Sequence, residues 1–194
     1  VEMSVASGMN ALAHCVDSMW APKSDPINQA FAVEGIRALA QGLPLIVADP
    51  HSQEGREKAL YGAYLSAVSF GSAGSGIHHK ICHVLGGTFN TPHAQTHATV
   101  LPYVLAFNSS AAPEAERRIA QAFDAPTALV GLQDLRAKLD APKALKDYGL
   151  TESDIAEAVN IALPLIPADN PRAVTKENLT ALLHAAWSGS TPTV

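Results

Sequence analysis

The sequence predicts an all-α fold, a helical bundle formed as a single domain over residues 1–194. Apolar residues recur at three- and four-residue spacing along most of the chain, and long runs of alternating β-branched residues are missing. Capping residues and prolines also divide the chain into helix-length segments. A chain of 194 residues with 47% hydrophobic side chains is large enough to bury one substantial core.

Five helices are predicted in the first half of the chain. Ser7 is the expected N-cap of the first, and Asp25 caps the second with Pro26 at its first position. The pair Gly86-Gly87 is expected to end the fourth helix, and Pro102 should kink the fifth. The predicted ranges are 7–20, 26–47, 53–72, 77–85 and 91–102.

The second half is predicted to contain shorter helices within the same domain. Thr151 with Asp154 resembles a capping box, and Thr175 is the expected cap of the last helix. The predicted ranges are 114–123, 129–139, 151–163 and 175–187. Five prolines mark the breaks between them: Pro126, Pro142, Pro164, Pro167 and Pro171.

The glycine cluster at Gly71, Gly74 and Gly76 does not indicate a nucleotide site. Its spacing is G-x-x-G-x-G, and a helix precedes it. A dinucleotide fingerprint requires a strand, a G-x-G-x-x-G turn and a helix in that order. We therefore interpret the cluster as a flexible joint, and we expect no nucleotide-binding domain within residues 1–194.

Composition and charge narrow the class of protein. The net charge is −5 and no basic patch offsets it, so nucleic acid is not expected as a partner. No uninterrupted apolar run suggests a membrane partner, and no secretion signal is visible. Cys15 and Cys82 are expected to be reduced and buried, which favours a cytoplasmic location.

The histidines are the most informative feature of the sequence. Five of the eight lie between residues 78 and 97, and His14 lies near the start. Residues four apart on a helix share a face, so three helix faces could surround one pocket. The pairs at this spacing are Asn10 with His14, His79 with His83, and His93 with His97.

Two kinds of chemistry are open to this cluster. His14, His79 and His93 could bind iron or zinc as neutral imidazoles, but the fourth position holds Asn10, a poor ligand where a carboxylate would complete the site. Without a metal, the same side chains could bind anions and move protons. Serine hydrolase chemistry is not expected, because no G-x-S-x-G elbow is present.

The histidine-bearing segments resemble a known family. The segments SGMNALAHCVDSMWAP and GIHHKICHVLGGTFNTPHAQTHATVLP are similar to the helical C-terminal domain of the iron-containing alcohol dehydrogenase superfamily, and within it most similar to maleylacetate reductases. The resemblance implies the C-terminal half of a two-domain, dehydroquinate synthase-like enzyme. It covers the motif-bearing region 5–108, and the remainder agrees in helical character alone.

The resemblance also assigns positions to roles. The superfamily's metal ligands correspond to Asn10, His14, His79 and His93, and the branch with asparagine at the first position works without metal. His83 matches a non-ligand histidine near substrate and nicotinamide. We expect His83 or His79 to be catalytic, and substrate contacts from Asn10, His14, His78, His93, Thr96 and His97.

The activity that the resemblance implies is NADH- or NADPH-dependent reduction of the carbon–carbon double bond of maleylacetate to 3-oxoadipate in aromatic compound degradation. The cofactor would be bound mainly by an N-terminal domain outside this chain, and homodimers are the family habit. Two alternatives remain: a metal-dependent (iron or zinc) alcohol or aldehyde dehydrogenase of the same superfamily, and a non-enzymatic helical metal-binding or interaction module.

Overall fold

A computed structural model describes residues 1–193 and confirms the all-α prediction, since those residues contain no strand. Two 3-10 helices, at Leu145–Tyr148 and Leu163–Leu165, accompany the α-helices. The α-helices are α1 (Glu2–Ser18), α2 (Pro26–Ala48), α3 (Gln53–Ala73), α4 (Ile77–Phe89), α5 (His93–Ser109), α6 (Pro113–Phe123), α7 (Ala128–Lys138), α8 (Asp154–Ala162) and α9 (Lys176–Ser188).

Two of the predicted helix caps are confirmed by hydrogen bonds. The Asp25 carboxylate accepts from the backbone N–H groups of Ile27 and Asn28, each at 2.8 Å, and Pro26 begins α2. Thr175 and Asn178 form a reciprocal capping box at the start of α9. Local sequence therefore fixes these two helix starts.

Two helices differ in extent from the prediction. α5 continues past Pro102 to Ser109, and α8 begins at Asp154 with Ser153, not Thr151, as its N-cap.

Three further boundaries also differ. α1 begins at Glu2 and not near Ser7, because Val5 already lies in the core. α3 runs to Ala73, which shortens the expected flexible joint to three residues. α4 continues through Gly86-Gly87 and ends at Asn90, whose φ of 54° is left-handed. Packing of α4 against α5 outweighs the cost of about 1 kcal/mol per helical glycine.

α5 is the central helix of the domain. Every residue from Thr96 to Ser109 is buried, and the helix packs against α1, α4, α7 and α9. α2 and α3 form a hairpin that covers α1, and Gly42 permits close approach there, because a Cβ would lie 2.8 Å from the Ala59 nitrogen. α1 also packs against α4 and α5, and its His14 contacts His79 near the start of α4.

α2 is the one helix in residues 1–193 that is long and apolar enough to cross a membrane, judged by length and composition alone. Its Ala32, Ile36 and Leu39 are buried in the core of this domain, and the helix packs against α1 and α3. The core helix of a folded domain meets the same criterion, so this is weak evidence for a membrane segment.

Candidate functional site

Three helices bring the predicted site residues into one cluster. α1 contributes Asn10 and His14, α4 contributes three histidines, and the first turns of α5 contribute Thr96 and two histidines. Neighbouring imidazole rings are in contact. The distances between ring centroids are 4.8 Å for His14–His79, 4.9 Å for His79–His97, 4.4 Å for His93–His97, 5.9 Å for His79–His83 and 5.0 Å for His78–His97.

The cluster is buried on one side and open on the other. His78, His79 and His97 have at most 1% of their surface exposed, whereas His83 and His93 are exposed to solvent. We call this arrangement the histidine pocket, with the buried rings as its floor and the exposed rings as its mouth. A ligand approaching from outside meets His83 and His93 first.

Asp17 supports the floor of the pocket, and the sequence analysis did not single it out. It is fully buried, and its carboxylate accepts from the backbone N–H of Gly76 at 2.8 Å and from Trp20 Nε1 at 3.2 Å. Weaker bonds from the backbone N–H groups of His78 and His79 lie at 3.3 and 3.4 Å. The carboxylate therefore caps α4 from a distant helix, where the positive end of the helix dipole stabilises it.

Gly76 makes this cap possible. A Cβ at that position would lie 2.5 Å from Asp17 Oδ1. The residue immediately before α4 must therefore lack a side chain for the carboxylate to reach the helix end. The last glycine of the cluster therefore has a structural role: without a side chain there, the Asp17 carboxylate can contact the start of α4.

His79 is oriented by the same carboxylate. Its Nδ1 lies 2.8 Å from Asp17 Oδ2, so Nδ1 carries a hydrogen and donates a hydrogen bond to the carboxylate. The other ring nitrogen, Nε2, is buried with no hydrogen-bond partner. In the neutral ring, Nε2 thus has a lone pair available to a ligand.

His78 and His97 form a second buried pair. His78 Nε2 lies 3.0 Å from His97 Nδ1, and Cys82 Sγ lies 3.6 Å from the same His78 nitrogen. The remaining nitrogens, His78 Nδ1 and His97 Nε2, have no partner. His78 therefore lies behind His97; its expected substrate contact stays a prediction.

Burial keeps most of these imidazoles neutral. It lowers the pKa of His14 to about 4 and that of His97 to about 2, and in each case the neighbouring His79 adds to the effect. The pKa of His78 is lowered well below its usual value, mainly by burial, and that of His83 is also lowered, again mainly by burial. At neutral pH these rings act as hydrogen-bonding groups and not as cations.

Asn10 and Thr96 differ in whether their side-chain oxygens already have hydrogen-bond partners within the protein. Asn10 Oδ1 is buried without a partner, so its amide is free to bind a ligand. Thr96 Oγ1 lies 2.8 Å from both Thr91 Oγ1 and the Pro92 carbonyl oxygen, which ties together the first turn of α5. The expected role of Thr96 in substrate binding stays a prediction, with its hydroxyl already engaged locally.

Phe70, near the end of α3, was also missed by the sequence analysis. Its ring stacks on His14 with centroids 4.5 Å apart and an interplanar angle of 15°, and it contacts His79 at 4.3 Å. This aromatic wall holds the His14 ring in place and reduces its access to water. A lone phenylalanine in an apolar helix carries no sequence signal for such a role.

The superfamily ligand positions fit a metal poorly. Three imidazoles alone are enough for some catalytic zinc sites, but here the fourth donor is a neutral amide that contributes no charge. Among the described residues, a group of three potential ligand atoms that all lie within 4.8 Å of one another is formed by His78, Cys82 and His97. His14, His79 and His93 do not form such a group. His78 and His97 already hydrogen-bond each other.

One well-formed cavity does not coincide with the histidine pocket. It measures about 440 Å³ and lies between the start of α1, the segment 139–143 and Tyr148. The histidine pocket instead opens directly to the surface through His83 and His93. An open half-site of this kind is expected where a second domain completes a cleft.

Comparison with known proteins identifies relatives along almost the whole chain. The profile of the Fe-containing alcohol dehydrogenase family, C-terminal, matches residues 4–187. A maleylacetate reductase of Sphingobium indicum is 43% identical over 191 residues, which cover 98% of this chain and 54% of that protein. The chain thus spans about half the length of the curated relatives that it matches.

Solved structures share the fold. The iron-containing alcohol dehydrogenase of Corynebacterium glutamicum is 70% identical with a TM-score of 0.98, and the match covers 98% of this chain and 54% of that one. The maleylacetate reductase of a Rhizobium species is 38% identical with a TM-score of 0.92 and the same coverage. These matches bear on the fold and the family; the roles of individual site residues stay predictions.

Proposed function

The chain belongs to the Fe-containing alcohol dehydrogenase family, and we propose that the full-length protein is a maleylacetate reductase that uses NADH or NADPH. The observation that carries the proposal is Asn10, an uncharged amide one helical turn from His14, whose ring burial keeps neutral, at a position where metal-dependent relatives are expected to have a carboxylate. Similarity at 40–43% identity to proteins named maleylacetate reductase supports the same assignment.

The electrostatics of the pocket suit a dicarboxylate substrate. Asp17 is the carboxylate at its floor, and its oxygens are already taken up by the start of α4 and by His79. A second carboxylate at position 10 would repel an anionic substrate unless a cation neutralised it. With Asn10 in that position, both the repulsion and the need for a metal are removed.

The reaction requires stabilisation of an enolate and one proton. A nicotinamide cofactor, when bound, would supply a hydride to the carbon–carbon double bond, and negative charge would then develop on the conjugated ketone oxygen. In the proposed mechanism protonated His79 delivers a proton from Nε2 to the adjacent carbon, while Asp17 holds the ring and stabilises its charged form. His83, at the mouth and without a carboxylate partner, is the second candidate for this acid.

The remaining polar groups would position the substrate. His14 contacts the ring of His79, His93 contacts the ring of His97, and the Asn10 amide oxygen is buried without a partner. All three side chains can hydrogen-bond carboxylate oxygens. Phe70 would exclude water from the His14 side. We assign these residues to substrate binding, so their loss should raise KM more than it lowers kcat.

The cofactor and assembly are part of the proposal. Residues 1–193 contain no strand–glycine–helix unit, so the chain supplies no dinucleotide site, and an N-terminal domain outside it would hold NADH or NADPH. We propose a cytoplasmic homodimer whose partners are a small dicarboxylate substrate and the protein's own cofactor domain. Nucleic acid and membrane are not proposed as partners.

One observation favours a second candidate function. The Corynebacterium glutamicum relative, 70% identical, is named an iron-containing alcohol dehydrogenase. A metal-dependent alcohol or aldehyde dehydrogenase would require iron or zinc to bind without a carboxylate at position 10. The third possibility, a non-enzymatic helical module, requires a gene that encodes no cofactor domain upstream of this chain.

The decisive experiment measures NADH and NADPH oxidation by the full-length protein with maleylacetate, with and without EDTA, alongside its metal content. We expect turnover that EDTA does not affect and no stoichiometric iron or zinc. Turnover abolished by EDTA, or found solely with simple alcohols and aldehydes, would assign the protein to the metal-dependent group.

Asn10→Asp tests the charge argument directly. We expect lower kcat/KM for maleylacetate and higher affinity for Zn²⁺ or Fe²⁺, because a carboxylate repels the substrate and attracts a cation. Asn160→Asp, which adds the same charge at an exposed position of α8, is the matched control and should change neither quantity. Full activity of Asn10→Asp with no gain in metal affinity would contradict the argument.

A further inference from the structure

The buried His78–His97 pair lies next to the residues assigned to chemistry, and the proposed mechanism does not use it. Both rings are 0% exposed, and His78 Nε2 and His97 Nδ1 lie 3.0 Å apart, so one shared proton must lie between them. Each ring has one further nitrogen, His78 Nδ1 and His97 Nε2, and neither has a partner. The position of the shared proton decides the state of both unpartnered nitrogens.

Two tautomeric arrangements are possible for the pair. If His97 Nδ1 donates, His78 must carry its own proton on Nδ1, and a buried N–H is left with no acceptor. If His78 Nε2 donates, His78 Nδ1 is a bare lone pair and the free N–H is placed on His97 Nε2. Each arrangement therefore leaves one buried N–H without a protein acceptor, on His78 Nδ1 or on His97 Nε2. Such groups are rare in native structures because an unmade hydrogen bond costs free energy, so the arrangement whose N–H a bound ligand can satisfy is favoured.

The surroundings favour the second arrangement. His97 Nδ1 is occupied by His78, and the His97 ring has the rings of His79, His93 and His83 as neighbours at centroid distances of 4.4–6.3 Å. His97 is thus the member of the pair that contacts both rings of the pocket mouth, His83 and His93. An N–H on His97 Nε2 finds an acceptor when an anionic ligand enters the histidine pocket. Cys82 Sγ, 3.6 Å from His78 Nε2, is a weak second acceptor for the proton on that nitrogen.

We propose that His78 is a positioning residue: it holds His97 in the tautomer that presents Nε2–H to the pocket, where His97 donates to a carboxylate or ketone oxygen of the substrate. This inference rests on the proposed reductase function for the identity of the substrate. It reassigns His78 from direct substrate contact to control of the neighbouring ring.

His97 and His79 then have opposite hydrogen-bonding roles. In the neutral His79 ring, Asp17 accepts a hydrogen bond from Nδ1–H and leaves Nε2 as an acceptor until that nitrogen is protonated, whereas His78 donates to His97 Nδ1 and leaves its Nε2 as a donor. Two buried partners thus set the polarity of two neighbouring rings, as outer-shell groups do for metal-ligating histidines. A pocket with a fixed donor recognises an oxygen anion better than one whose rings are free to change tautomer.

The first test reads the tautomer without any activity assay. The full-length protein, labelled with ¹⁵N-histidine, is examined by NMR at pH 7.5 in the absence of substrate, and the His97 signals are assigned by comparison with His97→Gln. Protonated and bare nitrogens of a neutral imidazole give well-separated signals. We expect a protonated Nε2 and a bare Nδ1 on His97; the reverse pattern would overturn the inference.

The second test changes the donor. His78→Leu removes it, and His78→Gln keeps an N–H at a similar distance from the backbone. We expect His78→Leu to lose the single His97 tautomer and to lower kcat/KM about 10- to 100-fold, the usual effect of removing an outer-shell partner. His78→Gln should restore most of both. Cys82→Ala disturbs the same packing but keeps the His78–His97 bond, so its His97 spectrum should match that of the unmodified protein.

The two tests separate the inference from the proposed function. The expected tautomer in a protein that does not reduce maleylacetate would refute the function and leave the His78–His97 assignment intact. Reductase activity that is equal in His78→Leu, His78→Gln and the unmodified protein would refute the positioning role. If His78→Leu does not fold, the unmodified protein and His78→Gln still decide the tautomer.

Discussion

At the scale of single residues, Asp17 contributes both to the stability of α4 and to the orientation of a histidine in the pocket. One buried carboxylate accepts from the backbone at the start of α4 and from His79 Nδ1, so it fixes both the helix end and the orientation of a pocket ring. Hydrogen bonds to a charged acceptor are stronger than neutral ones, and a buried site is poorly screened by salt. The start of α4 and the orientation of the His79 ring therefore depend on this single side chain.

Asp17→Asn should reduce both stability and activity. We expect the free energy of unfolding to fall by about 2 kcal/mol, because charge-assisted bonds at the start of α4 are lost. The kcat should fall about 10- to 100-fold, since His79 loses the partner that orients it. Denaturant unfolding and steady-state kinetics of the full-length protein measure the two effects.

Asp140→Asn is the control for Asp17→Asn. This side chain is 88% exposed and pairs with Lys143 at the surface, where such pairs contribute little. It should leave both quantities unchanged. A kcat of the Asp17→Asn protein equal to that of the unmodified protein would show that His79 does not depend on the carboxylate.

The buried imidazoles predict a loss of stability in acid. Burial lowers the pKa of His97 to about 2, whereas in the unfolded chain it titrates near 6.5. Below that pH the unfolded chain binds a proton that the folded protein does not, so stability falls as the pH decreases from about 6.5 toward 2. Tm measured between pH 8 and pH 5 should decrease accordingly.

His97→Gln removes this contribution and should flatten the dependence of Tm on pH. His51→Gln is the control, because His51 is exposed at the surface away from the histidine cluster, and its slope should equal that of the unmodified protein. An unchanged slope in His97→Gln would mean that the ring is not held neutral by burial.

At the scale of elements, the start of α4 depends on a glycine that admits a side chain from another helix. Gly76→Ala would place a Cβ 2.5 Å from Asp17 Oδ1, so we expect a loss of about 1–3 kcal/mol of stability and lower activity through displacement of His79. Thermal and chemical unfolding test the first effect, and kinetics the second.

Gly71→Ala makes the same chemical change in the same glycine cluster with the opposite expected sign. No atom lies within 4 Å of a Cβ at that position, and Gly71 is inside α3. Removing a helical glycine should stabilise the protein by about 0.5–1 kcal/mol. If both variants were equally stable, the contact between Gly76 and Asp17 would not limit packing.

At the scale of the whole molecule, the proposed function requires this chain to supply one half of a site. The histidine pocket opens through His83 and His93 directly to the surface, and the described residues contain no dinucleotide-binding unit. The relatives are about twice as long. Completion of the site by a second domain would bring the nicotinamide to the open side and exclude water from the ring cluster.

Residues 1–194 expressed alone should bind NADH weakly and should not reduce maleylacetate, whereas the full-length protein should do both. Fluorescence titration of NADH and an absorbance assay of its oxidation measure this, with circular dichroism to establish that the shorter chain is helical. Turnover by the folded shorter chain would show that it holds the cofactor by itself.

Much of the fold was accessible from the sequence, because helix starts are local events. Asp25 and Thr175 cap their own helices through residues two or three positions away, and both were predicted. The predicted end of α4 was wrong. Gly86-Gly87 is locally typical of a helix end, but packing against α5 stabilises the helix beyond it. Spacing also grouped the histidines correctly by helix, since i,i+4 pairs share a face.

What the sequence determined by itself is the class of fold, the family and the set of imidazoles with Asn10 among them. What the tertiary structure alone decided is the set of contacts that each ring makes: Asp17 with His79 Nδ1, His78 with His97 Nδ1, and Phe70 with His14. Residue types and helical periodicity are properties of neighbours in the chain. The proton positions and burial that set reactivity come from groups up to 62 residues apart, and these meet only after the helices have packed.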